Sequence, residues 1–379
     1  MFFPLLTLLT VLTPDEAVRS ALARDPALAA RVADVEAATG LQRESGFLRH
    51  NPEVSTSIDR TTQTISVVQP LSLTGEGMHA TRSAEAGLDA ARAAAERARF
   101  ETAAATRRAY ARAVLARQQL RLAEEDRVLL ARLRGVAEAR VAAGENIDLD
   151  VRLARLEQAR AMKAWLDAQA QASESDADLA ALVGMVPGEL EDDPLLAGPA
   201  EPVQGIPRWD LVATRAATRA ARFALARERA AVLPEVELGA FHERDTGIQF
   251  FGLTLTVGVP LWKRNHSGIG AALGNLRLAE AVEASTAARA STEEARAAER
   301  LRVAEESLLT LAPDIGVEAA SALESIEALF EAGEANLSDT LLLRFRVVEG
   351  ERAWMEARAL IAIARIDIAL ARQSGSLLP

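Results

Sequence analysis

The sequence predicts a mainly α-helical chain with a small β part, in which a β-hairpin joined to long helical hairpins is written twice. Three observations carry this reading. Landmarks recur in order: Pro52-Glu53-Val54 returns as Pro234-Glu235-Val236, Pro70-Leu71 as Pro260-Leu261, and Ala143-Gly144-Glu145 as Ala332-Gly333-Glu334. Each pair lies roughly 180 to 190 residues apart, the mark of an internal duplication. Hydrophobic residues make up 49% of the 379-residue chain but aromatics only 4%, with a single tyrosine. Alanine and leucine therefore carry the apolar share, and alanine favours helix and close helix approach while filling little volume. Finally, no proline occurs from Gly77 to Ala143; at 1.5 Å rise per residue that stretch of helix formers extends roughly 100 Å, too long for the core of a compact domain.

The elements follow in order. Met1 to Thr13 is an apolar run too short to cross a bilayer as a helix. It resembles the hydrophobic part of a secretory signal without a preceding Lys or Arg or a small-x-small cleavage site, so a truncated start or an unusual export signal is expected. The first repeat covers 14–186. Thr13-Pro14 reads as an N-cap followed by proline in the first turn, and the helical pattern continues to about Arg49, where Asn51-Pro52 stops it. Over 52–70 the period becomes two: Val54, Thr56 and Ile58 share a face, and Ile65 and Val67 resume it after a polar turn near Asp59-Arg60. A long helix is predicted over 77–143, with Leu115, Leu122, Leu129 and Val136 stepping by seven as in a coiled-coil seam. Gly144 ends it, Glu145-Asn146-Ile147 turns the chain, and a return helix covers 149–183.

A Pro- and Gly-rich linker over 187–207 carries Pro187, Pro194, Pro199, Pro202 and Pro207 and an acidic run from Glu189 to Asp193. The second repeat, 208–379, opens with a helix to about Val232. In its hairpin, 234–260, Val236, Leu238 and Ala240 alternate with Glu235, Glu237 and Gly239; past a turn near Asp245-Thr246-Gly247, Leu253, Leu255, Val257 and Val259 alternate with Thr254, Thr256 and Gly258. A long helix over 268–332 contains Pro313, which lacks a donor and should kink or break it near Leu311-Ala312. Gly333 turns the chain into a return helix over 337–372, where Leu341, Val348 and Met355 repeat the seven-residue step.

Composition excludes several functions. A net charge of −11 argues against nucleic acid as a partner, and the Arg-rich stretch from Arg92 to Arg140, interleaved with glutamates, reads as a solvated helix face. Without cysteine there is no disulfide, thiolate chemistry or Cys-based zinc site. His50, His79, His242 and His266 are scattered with no helical pair, so no metal site is expected. Gly75-x-Gly77 lacks the Gly-Lys-Ser/Thr ending of a phosphate loop, and no spacing pairs a nucleophile with a base. Neither an enzyme nor a cofactor is expected. No stretch reaches eighteen uncharged apolar residues, so membrane insertion would have to use strands. Alternating strands of this length fit an outer-membrane barrel, but four cannot close one alone. From alternation alone, a soluble four-stranded sheet packed on a helix stays open as an alternative.

The residues also carry a family resemblance. The duplicated plan, the opening Leu12-Thr13-Pro14-Asp15-Glu16-Ala17-Val18 with Asp25-Pro26, the segment Leu179-Ala180-Ala181-Leu182-Val183-Gly184, and the tips with Asp150 six residues after Gly144 and Asp339 six after Gly333 resemble the TolC-like outer membrane efflux proteins. The similarity runs from about residue 12 to 373. Gly258-Val259-Pro260-Leu261-Trp262-Lys263-Arg264-Asn265-His266-Ser267-Gly268, with Gln69-Pro70-Leu71-Ser72-Leu73 and Gly75-Glu76-Gly77 as counterparts and Pro313 in addition, is similar to the heavy-metal efflux branch. The resemblance implies a homotrimer with a twelve-stranded β-barrel in outer-membrane lipid and a periplasmic α-barrel below it. It implies a passive exit duct for metal cations or small toxic compounds, fed by an inner-membrane pump through a periplasmic adaptor. The alternative is a soluble periplasmic coiled-coil adaptor or structural protein that binds partners through its helical tips.

Candidate functional residues lie at the two turns. Gly144 and Gly333 would dock on adaptor hairpins; as helix caps they need no partner. Glu145, Asp148, Asp150, Glu334 and Asp339 place carboxylates at what threefold symmetry would make a ring, a device that favours cations. The same aspartates equally fit the positive ends of helices. Trp262 reads as a membrane-interface aromatic.

Overall fold

A computed structural model describes residues 11–45, 51–60, 62–71, 75–144, 148–191, 208–232, 235–258, 264–311, 315–373 and 375–379. Among them the elements run α1 (Pro14–Arg24), α2 (Pro26–Glu44), β1 (Glu53–Ile58), β2 (Thr62–Leu71), α3 (Glu76–Ala142), α4 (Asp148–Val183), α5 (Trp209–Ala230), β3 (Glu235–Asp245), β4 (Ile248–Gly258), α6 (His266–Thr310), α7 (Ile315–Glu331) and α8 (Leu337–Arg372), with a closing 3-10 turn (Gly375–Leu377). The chain is mainly helical with one small antiparallel sheet. The apolar segment before residue 11 and most of the linker, 192–207, lie outside the described residues.

Two stretches read as single helices are each two. The helix expected from Pro14 to about Arg49 breaks at Asp25, because a proline disfavours helical backbone in the residue before it. Asp25 takes an extended conformation (φ −63°, ψ 113°), and α2 restarts at Pro26. In the 268–332 span, α6 ends at Thr310 and α7 starts at Ile315, with Leu311 N donating to Leu308 O in a tightened last turn. Pro313 lies outside the described residues.

The chain divides into two compact units. One comprises Met1–Asp25, Arg99–Ile206 and Thr292–Pro379; the other Pro26–Ala98 and Pro207–Ser291. In the first, helices pack through small residues. Ala109, Ala113 and Val114 of α3 meet Ala17 of α1, Leu179 and Val183 of α4 and Ala362 of α8 in one cluster. A second cluster joins Leu129, Leu130, Leu133 and Ala137 of α3 to Val151 and Ala154 of α4, Phe330 of α7 and Leu337 of α8. The heptad step gives Leu122 and Leu129 buried, but between them Asp126 is buried too. Its carboxylate makes a two-pronged hydrogen bond with Arg344 of α8, and the two side chains are only 7% and 8% exposed.

The same unit gathers distant parts of the chain onto α3. The hydroxyl of Tyr110, the sole tyrosine, donates to Leu12 O at 2.7 Å and accepts from Glu191 N at 2.8 Å, beside a parallel bridge between Leu12 and Leu190. Arg117 grips Asp176 at 3.0 Å and donates to Gly188 O at 2.6 Å. Arg107 reaches Asp15 at 2.6 Å and Leu377 O at 3.0 Å.

In the second unit the four strands form one sheet in the order β1-β2-β3-β4, every neighbour antiparallel. β3 and β4 are joined by two residues, Thr246 (φ 45°) and Gly247 (φ 94°); two left-handed residues match the twist of a tight hairpin. Register aligns Val54, Val67, Ala240 and Leu253 in one row across the sheet, and Leu71, Val236 and Val257 in another. In the same unit α5 is tied to α3 by Ser83 Oγ donating to Ala220 O at 2.9 Å and to α6 by the Arg222–Glu280 pair at 3.2 Å. At the start of α6, Asn265 (φ 48°) donates from Nδ2 to Glu228 O and Oε2 at 3.0 and 2.9 Å. A Cβ on Gly268 would lie 2.5 Å from both of those side chains, which explains the glycine in the Arg-Asn-x-x-Gly segment.

Candidate functional site

The sheet presents two chemically opposite faces. On one, Val54, Ile65, Leu253, Leu255 and Val257 are exposed, Leu253 to 80% and Leu255 to 69%. On the other, polar groups bond across the strands: Ser55 to Ser66 at 2.7 Å, Thr62 to Asp245 and Thr64 to Glu243 both at 3.4 Å. There Phe241 lies over Gly252, where a Cβ would meet its ring at 2.3 Å. Among the described residues, β1 and β4 are each hydrogen-bonded along one side only. No described helix is long and apolar enough to cross a membrane.

At the first turn Ala143 N donates to Ala139 O and Gly144 N to Val141 O, both at 3.0 Å, and Gly144 adopts φ 81°. At the second, Gly333 N donates to Phe330 O and Glu334 N to Leu329 O, both at 3.1 Å, with Gly333 at φ 80°. The positive φ is the left-handed backbone that glycine supplies without steric cost, so both glycines perform one local task in the two repeats.

Three of the carboxylates, Asp148, Asp150 and Asp339, sit in first helical turns. Asp148 is exposed and pairs with Arg152 at 2.7 Å. Asp150, half-buried in the same first turn of α4, makes no ion pair with any described residue. Asn336 caps α8 by accepting from Asp339 N at 2.8 Å, and its Nδ2 donates to the Asp339 carboxylate at 2.7 Å. Asp339 and Glu334 are exposed. Negative charge in a first helical turn is favoured by the helix dipole. Glu145 and Trp262 lie outside the described residues.

The residue that links the two turns is Arg140, which sequence reasoning placed on a solvated face. From the last turn of α3 it donates through Nη2 to the carbonyls of Phe330 and, at 3.4 Å, Glu331, and its guanidinium lies 4.7 Å from the centroid of the Phe330 ring. It therefore bonds to carbonyls in the last turn of α7, one of which, Phe330 O, also accepts from Gly333 N. The local signal, a basic residue in a last helical turn, points to α3's own end; nothing nearby in sequence points to α7.

Residues 17–185 match a family described as outer membrane efflux protein. No curated protein matches the chain. Among solved structures, a membrane protein from Pseudomonas aeruginosa is 20% identical, with 95% of this chain and 90% of that one covered at a TM-score of 0.75. CusC, described for its transmembrane channel formation, is 15% identical, with 96% and 92% covered and a TM-score of 0.78. The outer membrane protein VceC of Vibrio cholerae is 20% identical, with 96% of each chain covered and a TM-score of 0.75. Residues 17–185 thus carry the pattern of the outer membrane efflux proteins, and nearly the whole chain shares its fold with CusC and the outer membrane protein VceC.

Proposed function

We propose that this chain is one protomer of a homotrimeric outer membrane efflux channel, in which three copies of the sheet close a twelve-stranded barrel and the helices form a hollow periplasmic duct. The observation that carries this reading is the sheet itself. Its exposed apolar row from Val54 to Leu253 and its one-sided edges are an aggregation hazard in water. In lipid, with edges joined between chains, the same pattern is the apolar-out, polar-in wall of a barrel. Adaptors that bind through helical tips need no such sheet, which weighs against the alternative.

The channel is passive, with an inner-membrane pump supplying energy and substrate and a periplasmic adaptor docking at the Gly144 and Gly333 turns. Substrates are metal cations or small toxic compounds. The Gly258 to Gly268 segment supports the metal branch, and carboxylates at the tips (Glu145, Asp148, Asp150, Glu334, Asp339) would favour cations when repeated by threefold symmetry.

Membrane fractionation followed by unheated gel electrophoresis tests the reading: a channel sediments with the outer membrane and runs as a trimer, whereas a soluble monomer would favour the adaptor. Replacing both Asp150 and Asp339 by Asn should lower cation selectivity in planar bilayers; unchanged currents would remove these residues from the constriction.

A further inference from the structure

Cross-strand register arranges the apolar face of the sheet in rows, and the rows change chemistry from one end to the other. At the end where the helices attach, Leu71, Val236 and Val257 share a row; midway lie Val67, Ala240 and Leu253. The next row sets His242 beside Phe251, with ring centroids 4.5 Å apart, and the last, against the hairpin turns, aligns Gln63, Arg244 and Gln249. Arg244 is exposed and pairs with no carboxylate among the described residues. No other Asp, Glu, Lys or Arg of the described strands belongs to that face. Glu53, Glu237, Glu243 and Asp245 lie by alternation on the opposite one, where Thr64 and Thr62 donate to the last two. In a chain of net charge −11, the apolar face thus ends in a single cation.

An arginine on the lipid face of a barrel is costly at the bilayer midplane and nearly free at the interface. Arg244 follows Val236 by eight residues on β3, about 27 Å along the strand. Barrel tilt reduces this to about 21 Å, most of the roughly 25 Å apolar band of such a wall. Arg244 therefore reaches headgroup level at the hairpin end, and the amphipathic ring of His242 beside Phe251 marks the boundary below it. Its counter-charge does not come from a second copy. β3 is interior to the sheet, so this chain's own Gln63 and Gln249 flank the arginine. A neighbouring copy would join at β1 or β4, no nearer than two strand spacings, about 10 Å.

We infer that Arg244 binds the anionic phosphate of a lipid headgroup in the leaflet at the hairpin end, while the exposed Phe251 and Leu253 meet the acyl chains. The inference rests on the barrel reading above, because only a sheet set in a bilayer brings headgroups to this row. A guanidinium presents a planar fork of donors that matches phosphate oxygens. The carboxylates that would repel such a group are held on the other face.

The experiment gives the full chain, purified as a trimer in dodecyl maltoside, equal amounts of dioleoyl phosphatidic acid and dioleoyl phosphatidylcholine, and counts bound lipid by native mass spectrometry. The two share acyl chains and differ in headgroup charge. Wild type should retain phosphatidic acid preferentially, and Arg244→Gln should bind it about fivefold more weakly, the change that one basic side chain at an anionic surface carries, with phosphatidylcholine binding unchanged. Arg244→Lys should keep most of the preference. Arg60→Gln, at the exposed β1–β2 turn, should keep all of it, and inorganic phosphate in large excess should displace no lipid. No preference in wild type, a preference undiminished in Arg244→Gln, an equal loss in Arg60→Gln, or displacement by inorganic phosphate would overturn the proposal. Trimers without the preference would leave the channel reading standing; a monomer that takes up neither lipid would sink both.

Discussion

Arg140 near the end of α3 donates to the carbonyl of Phe330 near the end of α7 and stacks over the same residue's ring at 4.7 Å. One side chain thus joins the two repeats at their turns, one strand of chemistry acting on backbone and the other on an aromatic that is itself fully buried. Arg140→Ala should cost about 1 to 3 kcal/mol, the range for hydrogen bonds involving a charged group, and should speed exchange of the amides at 331–334. Arg140→Lys should restore less than half of it, since an ammonium has no planar fork to bond and stack at once. Unchanged unfolding in denaturant for Arg140→Ala would show that the contact is incidental.

The Asp126–Arg344 pair is buried, its side chains 7% and 8% exposed. Asp126→Asn leaves a buried guanidinium uncompensated except by Glu157 at 3.9 Å, and should destabilise the chain by about 3 to 5 kcal/mol. The double replacement Asp126→Leu with Arg344→Met should recover most of that loss, because the desolvation of both ions is removed together. A double-mutant cycle by chemical denaturation measures both.

Gly144→Ala and Gly333→Ala should behave alike. An added Cβ meets nothing within 4 Å at Gly144 and only Arg140 Nη2 at 3.6 Å at Gly333, so the cost is conformational, about 1 to 2 kcal/mol for a left-handed alanine. Thermal unfolding of the two variants should show matching shifts; a much larger effect at Gly333 would mean that Arg140 is displaced.

The Glu228 carboxyl is held below the usual carboxylate range by Arg227 first and by Asn265 second. Its ionised form is favoured in the folded chain, so its contribution is present above the ordinary carboxylate value and disappears as pH falls through the lower folded one. Below about pH 4 the start of α6 should therefore loosen, seen as faster exchange of amides at 266–270. Glu228→Gln should abolish that pH response.

Much of the architecture is visible in the residues because it is local. The two-residue period marks the strands, Asp245-Thr246-Gly247 marks the hairpin turn, and Gly144 and Gly333 mark where helices end. Pro26 was equally legible, since proline restricts its predecessor, yet the strong helical pattern around it masks the break. What is hidden is long-range. Arg140 and Phe330 are 190 residues apart and Asp126 and Arg344 are 218 apart, and an arginine in an Arg/Glu-rich helix looks the same whether solvated or buried. Asp126 occupies a seam position between Leu122 and Leu129, where apolar periodicity passes over a charged residue without registering it.

Tyr110 is the only tyrosine in the chain, 2% exposed, and its hydroxyl is bonded to residues on both the opening segment and the stretch after α4. Ring nitration requires the phenol to reach solvent, so a single chemical label, read by mass, counts how often that junction comes undone. The molecule thus offers a single address at which that event is recorded.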